Sequence, residues 1–180
     1  MTLALFAKTA PASDAWFSEC RHCGSPRCGL ESDYRYTLSR TWDPYGTRAV
    51  FICLNPSTAT ATVDDPTIRK CVKFARRWGH GSFHMLNVFA WRSTDPHVLP
   101  DVADPIGPSN DFWIRNEVVG AGIVVCAWGN HARLHQRGQR VLAMLRAYGI
   151  KAHALAVNKD GSPQHPLYLK DSLTPKELVG

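Results

Sequence analysis

Apolar positions along this chain fall into two rhythms. Short apolar runs of strand length, Ala49 to Leu54, Phe83 to Phe89, Ile123 to Ala127 and Ala152 to Val157, alternate with longer stretches of helical spacing. Runs that are apolar on both faces suit strands covered from both sides, as in a parallel sheet. Ahead of them, Tyr34 to Trp42 alternates and is β-prone, and Asp43-Pro44-Tyr45-Gly46 has turn composition. This segment and Ala49 to Leu54 are therefore expected to form a hairpin that feeds the central sheet.

The helices announce themselves by their ends. Asp65-Pro66 opens one, with Asp as N-cap and Pro at the first helical position, and it runs through Phe74 to Trp78 until Gly79 stops it. Ser109 can cap a second that reaches Glu117. A third is expected over Ala132 to Tyr148, tolerating Gly138 and ending at Gly149. A short helix around Asp14 to Phe17 and a terminal helical turn at Thr174-Pro175-Lys176-Glu177 complete the list. Between Asp95 and Pro108 lies a Pro-rich connection without regular pattern, which marks it as functional or mobile. Strands alternating with helices predict an α/β fold, a three-layer αβα sandwich around a central, mainly parallel sheet. No internal repeat or linker interrupts 1–180, so one domain is expected, with 1–33 as an irregular, Cys-containing N-terminal extension.

Composition changes this picture in three places. The net charge of +6 makes polyanionic partners plausible, and the basic residues cluster on expected helices, at Arg69-Lys70, Lys73 and Arg76-Arg77 and at Arg133, Arg137, Arg140 and Arg146. No apolar run is long enough to span a bilayer. Lys8 interrupts the apolar start, which has no charged leader before it, so a soluble, cytoplasmic monomer without membrane association is expected. Of the six cysteines, Cys53, Cys71 and Cys126 fall in core-like patterns. Cys20, Cys23 and Cys28, with His22 between the first two, have a spacing that could hold zinc, although no fourth ligand is evident; the alternative is a loop of reduced thiols.

The candidate chemistry sits where strands run out. Asn55-Pro56-Ser57-Thr58 follows the first buried run, and an Asn there can both accept from and donate to one water. Asn87 ends the second, and an amide's donor and acceptor pair matches the edge of a pyrimidine. Trp128-Gly129-Asn130-His131 follows the third and reads as a strand-to-helix turn. His165-Pro166-Leu167 lies in a Gly- and Pro-bounded loop after the fourth, where a His could donate to a developing oxyanion. In open α/β sheets ligands bind outside the carboxyl ends of the strands, so these four segments are expected to rim one pocket. Asp64 and Asp65 stand just before the first helix; one is expected to cap it and the other to bind a metal or a substrate hydroxyl. Singly, each motif also has an ordinary structural role as turn, cap or packed side chain.

Taken in order, these motifs resemble the uracil-DNA glycosylase superfamily. Val124-Val125-Cys126-Ala127-Trp128-Gly129-Asn130-His131-Ala132 is similar to its Leu-Leu-Trp-Gly-(Ser/Asn)-His-Ala turn, Leu86-Asn87 to its base-reading strand, and Asn55-Pro56 to its water-activating motif. His165-Pro166 is similar to its His-Pro-Ser loop, and Leu169 falls where that family has an intercalating Leu. The pattern Leu-Asn-Pro-Ser-Thr, Asp-Asp-Pro-Thr, Asn-Val-Phe-Ala, His-Pro-Leu resembles more closely the family labelled domain of unknown function 1643. The resemblance implies a glycosylase-like fold and a cofactor-free hydrolase that cleaves the N-glycosidic bond of a uracil-type or 5-modified pyrimidine in single- or double-stranded DNA. It implies Asn55 and His165 as catalytic residues, and Asn87, Ser57 and Pro56 around the base. Asn130, His131, Leu167 and Leu169 are implied as nucleic-acid contacts, while Arg69 and Arg92 are expected as phosphate contacts if the substrate is a free nucleotide. Departures are Ser57 in place of Tyr or Gly, Cys53 in place of a Gly, Leu167-Tyr168 in place of Ser-Pro, and Trp91 near where some branches place a cluster-binding Cys. The alternatives from other classes are a non-catalytic modified-base or nucleic-acid binding protein, and an enzyme acting on free nucleotides or nucleosides.

Overall fold

A computed structural model describes residues 33–178 and the backbone of 17–19. It places the strands of the described residues in one sheet of order β1-β2-β4-β3-β5-β6-β7. The strands are β1 (Phe17–Glu19), β2 (Leu38–Thr41), β3 (Arg48–Cys53), β4 (Ser82–Asn87), β5 (Ile123–Cys126), β6 (Ala152–Ala154) and β7 (Lys176–Glu177). The four strands β4-β3-β5-β6 are parallel, and the outer pairings β1-β2, β2-β4 and β6-β7 are antiparallel.

β3 holds the centre because it is apolar on both faces. Val50 and Ile52 point to one side, with α2 (Asn110–Val118) and α3 (Arg137–Ala147) supplying Ile114, Val118, Val141 and Leu145. Ala49, Phe51 and Cys53 point to the other, under α1 (Pro66–Arg77) and its buried Ile68, Cys71, Val72, Phe74 and Ala75. That is the period of two in a strand meeting an apolar helix stripe on each face. Phe51 is fully buried and lies against Trp78 and Phe83, with ring centroids 5.8 and 5.6 Å away. The chain leaves β3 through α1 to β4 on one side, then crosses to β5 on the other. The carboxyl ends of these strands therefore splay apart at a switch point, where open α/β sheets form crevices.

Helix α1 starts as its sequence predicts. Asp65 Oδ1 accepts from the Ile68 amide at 2.8 Å, and Pro66 occupies the first turn. Elsewhere the structure corrects the sequence reading. β2 and β3 are not a hairpin, because β4 lies between them. The turn at Asp43–Gly46 passes beneath the start of β4, with the amides of Trp42 and Asp43 donating to the Gly81 carbonyl. A Cβ on Gly46 would lie 2.6 Å from the Gly81 Cα, so this crossing needs two glycines.

The third helix begins at Arg137, not Ala132. Asn130–Gln136 forms 3-10 turns broken by left-handed His135 and Gln136. Once α3 has begun, Gly138 lets it lie against the indole of Trp128, because a Cβ there would come 2.9 Å from Trp128 Nε1. Ala152–Ala154 is shorter than the expected strand. The expected terminal helical turn is β7, which satisfies the open edge of β6 with Leu178 donating to the Ala152 carbonyl. Ser109 stands at the N-cap of α2 without a side-chain cap bond. The expected helix around Asp14 to Phe17 lies outside the described residues except for Phe17, which begins β1. Cys20, Cys23 and Cys28 also lie outside them. Among the described residues no group of three His, Cys, Asp or Glu side chains is placed to hold a metal ion, and no helix is long and apolar enough to cross a membrane.

Candidate functional site

The four polar strand ends meet. A cavity of about 740 Å³ opens at the carboxyl edge of the parallel strands, and Asn55, Asn87, Trp128, Gly129 and His165 all line it. The parallel register puts Cys53 opposite Asn87, and the Val88 and Phe89 amides continue the ladder to the Cys53 and Leu54 carbonyls. Asn55 therefore leaves the sheet beside Asn87 because β3 and β4 are neighbours in register. Gly129 closes the rim from the far side, its amide donating to the Pro163 carbonyl at 2.8 Å and tying the β5 turn to the loop that carries His165.

The two asparagines differ in what they have left to give. Asn55 Nδ2 donates to the Ser93 carbonyl at 2.8 Å and to the Pro56 carbonyl at 3.1 Å. Two carbonyl acceptors fix the amide orientation and use both of its hydrogens, so its remaining capacity toward the cavity is the Oδ1 acceptor. Asn87 is 2% exposed, and its Nδ2 has no hydrogen-bond partner. Leaving a buried donor unmet costs about 1–3 kcal/mol, which a ligand carbonyl would recover. Its backbone is held firmly from behind. Asn110 Nδ2 donates to the Asn87 and Val88 carbonyls at 3.0 Å each, and buried Arg137 donates from Nε to the Val88 carbonyl at 2.7 Å while pairing with Asp111.

His165 precedes a short 3-10 turn, Pro166–Tyr168, and its Nδ1 accepts from the Leu167 amide over a long 3.5 Å contact. That contact leaves the ring proton on Nε2. Burial pushes the imidazole below its ordinary pKa of 6.5, and the charge of Asp65 partly opposes the shift. The ring is consequently a neutral donor at pH 7.

The adjacent acids are sorted by partners the local sequence does not reveal. Asp65 caps α1 and also lines the cavity. Asp64 does not line it; its Oδ1 accepts from buried Arg40 at 2.9 Å (Nε) and 2.6 Å (Nη2). The expectation that the acid not used as cap would face a ligand is thus reversed. Ser57, Asn130, His131, Leu167 and Leu169 also line the cavity. Pro56 serves through its carbonyl, which accepts from Asn55 and from the Ser93 amide. Arg69 and Arg92 are not part of the lining, and Arg69 donates to the Asp64 carbonyl instead. Leu169 packs partly against the α1-side core, while its neighbour Tyr168 is 91% exposed at the rim.

Sequence reasoning missed Arg35. Its segment reads only as an alternating, β-prone run, yet residues 35–40 are all buried and Arg35 reaches the cavity wall, donating to the Ala59 carbonyl. Thr67, Asn158 and Gln164 were missed as well; only the position of Gln164 beside His165 hinted at a role. Cys53 lines the cavity, whereas burial pushes the thiols of Cys71 and Cys126 well above their ordinary range, which removes those two as thiolate nucleophiles.

The family described as "Protein of unknown function (DUF1643)" has a model that matches residues 35–167, a span that contains every cavity-lining residue except Tyr168 and Leu169. No curated protein and no solved structure matches the chain.

Proposed function

The chain belongs to the DUF1643 family, and we propose, from the geometry of its cavity, that it is a glycosylase-like hydrolase with a uracil-DNA glycosylase-like fold, cleaving the N-glycosidic bond of a uracil-type or 5-modified pyrimidine in DNA. The observation that carries this reading is the convergence of Asn55, Asn87 and His165 on one cavity, with the buried Asn87 donor unmet. In the reaction Asn87 donates to a base carbonyl. Asn55 Oδ1 accepts a hydrogen bond from a water and aims it at the anomeric carbon. His165 donates from Nε2 to the oxygen on which charge develops as the base departs. The sugar carbon becomes cation-like as the bond to the base breaks, as in glycoside hydrolysis. An amide cannot take the proton of the water, so Asn55 contributes by positioning. Ser57 is small, which favours bases with a 5-substituent. In a duplex the target must first leave the stack.

A second reading, hydrolysis of free nucleosides or nucleotides, is favoured by the state of helix α1. Lys70 and Lys73 pair with Asp171, Arg77 donates to the Asp171 carbonyl, Arg69 to the Asp64 carbonyl, and Arg76 stacks over Trp42 at 4.5 Å. The helix expected to hold phosphates is thus largely engaged within the chain. One panel separates the readings: purified protein is incubated with DNA carrying uracil or 5-modified pyrimidines and with the matching free nucleosides. Abasic sites support the DNA reading, and a strong fall of affinity with salt accompanies it. Cleavage of free nucleosides alone supports the second. DNA binding without release identifies a non-catalytic reader.

A further inference from the structure

Resting on the hydrolase reading, we propose that Asp65 is the carboxylate that takes the proton from the attacking water. The residues around the cavity leave few other acceptors. Asp65 is the only Asp or Glu that lines it among the described residues. Asn55 is an amide whose donors are committed to Ser93 and Pro56. His165 already receives the Leu167 amide on Nδ1 and is a donor at Nε2, Arg35 is a cation, and His131 sits exposed at the rim, edge-on to His97. Asp65 is close enough to His165 for its charge to act on the ring.

Its position also suits the task. The cap bond from Ile68 uses Oδ1, which holds the side chain in one rotamer. Oδ2 remains an acceptor on the same carboxylate. In the step, the water oxygen bonds to the anomeric carbon as the carbon–nitrogen bond breaks and its electron pair leaves with the base. The water proton passes to Asp65 and from there to solvent or to the departed base. No oxidant, reductant or metal is needed for the balance. The anionic carboxylate also stabilises the cation-like sugar before the water bond forms.

Because Asn is as good an N-cap as Asp, and Gly is only slightly poorer, charge and cap can be separated. Asp65→Asn is expected to keep its thermal midpoint and KM while kcat falls by about 100-fold or more. Asp65→Gly should be equally slow, and added formate should restore turnover in proportion to its concentration. The probe is whichever pyrimidine-bearing DNA or nucleoside the wild-type protein cleaves in the panel above. A folded Asp65→Asn protein with wild-type kcat overturns the assignment and leaves the hydrolase reading in place. An inactive Asp65→Gly protein that formate does not restore gives Asp65 a structural role and also overturns it. A wild-type protein that releases no base removes the hydrolase reading and this inference together.

Discussion

The cavity at the carboxyl ends of the strands and the outer face of helix α1 are both polar, yet they treat their polar groups in opposite ways. On α1 the basic side chains find partners within the chain: Arg69 on the Asp64 carbonyl, Lys70 and Lys73 on Asp171, Arg76 on Trp42 and Arg77 on the Asp171 carbonyl. In the cavity, Asn87 keeps an unmet donor at 2% exposure, Asn55 keeps an acceptor, and His165 is held neutral by burial. A count of charges marks the first region, whereas unsatisfied hydrogen-bonding capacity marks the second. Buried polar groups are normally paired, so the second is the better indicator of a ligand.

The contrast breaks most visibly if the two regions respond alike to substitution. His165→Ala is expected to lower kcat by roughly 100-fold through loss of the donor to the leaving base. The double variant Lys70→Met, Lys73→Met should leave single-nucleoside or short-DNA turnover essentially unchanged. Steady-state kinetics on the two proteins would reverse the assignment if the lysines mattered more than the histidine.

Acid stability sharpens it next. The Asp171 carboxyl, hydrogen-bonded by Lys70 and Lys73, is lowered to about 2 from 3.8. Its stabilisation is fully present above 3.8 and is lost as pH falls through about 2, because the unfolded chain binds the proton first. For Asp171→Asn the acid-unfolding curve should lose that component and the catalytic rate should not change. His165 has the same sign by a different cause. Its folded pKa is depressed by burial, so the stability tied to its neutral form is present above 6.5 and declines as pH falls below it. Acid denaturation of His165→Gln should be flatter in that window.

The smallest expected effect is the most local. Asp65 raises the His165 pKa against burial, so Asp65→Asn should move the imidazole titration further down, read by NMR of the ring protons. The other ionisable groups lining the cavity, Arg35, Cys53, His131 and Tyr168, are left in place by that change. An upward shift would separate the two residues.

What could be read from the sequence was local. The Asp65-Pro66 start of α1, the apolar core of β3, and the polar ends of four strands follow from neighbours within a few positions, and the structure brings those ends together. What could not be read depends on distant contacts. The order β2-β4-β3 brings Gly46 against Gly81, the late start of α3 follows left-handed His135 and Gln136, and its packing brings Gly138 against Trp128. Choosing between Asp64 and Asp65 requires Arg40, which belongs to β2 and is 24 residues away in sequence from Asp64. The basic cluster of α1 looked available because Asp171, about 100 residues downstream, gives no local sign of its role.

The most direct test of the site is Asn87→Leu, assayed for both stability and base release. Leu has the branched shape of Asn but brings no buried donor, and replacing polar groups by apolar ones of the same shape can be neutral or stabilising for a fold. The expected result is unchanged or increased unfolding free energy together with a loss of about 10- to 100-fold in kcat/KM, the worth of one buried hydrogen bond to ligand. A variant that is folded and fully active would contradict it, because the buried Asn87 donor left open in the cavity would then have no ligand to meet.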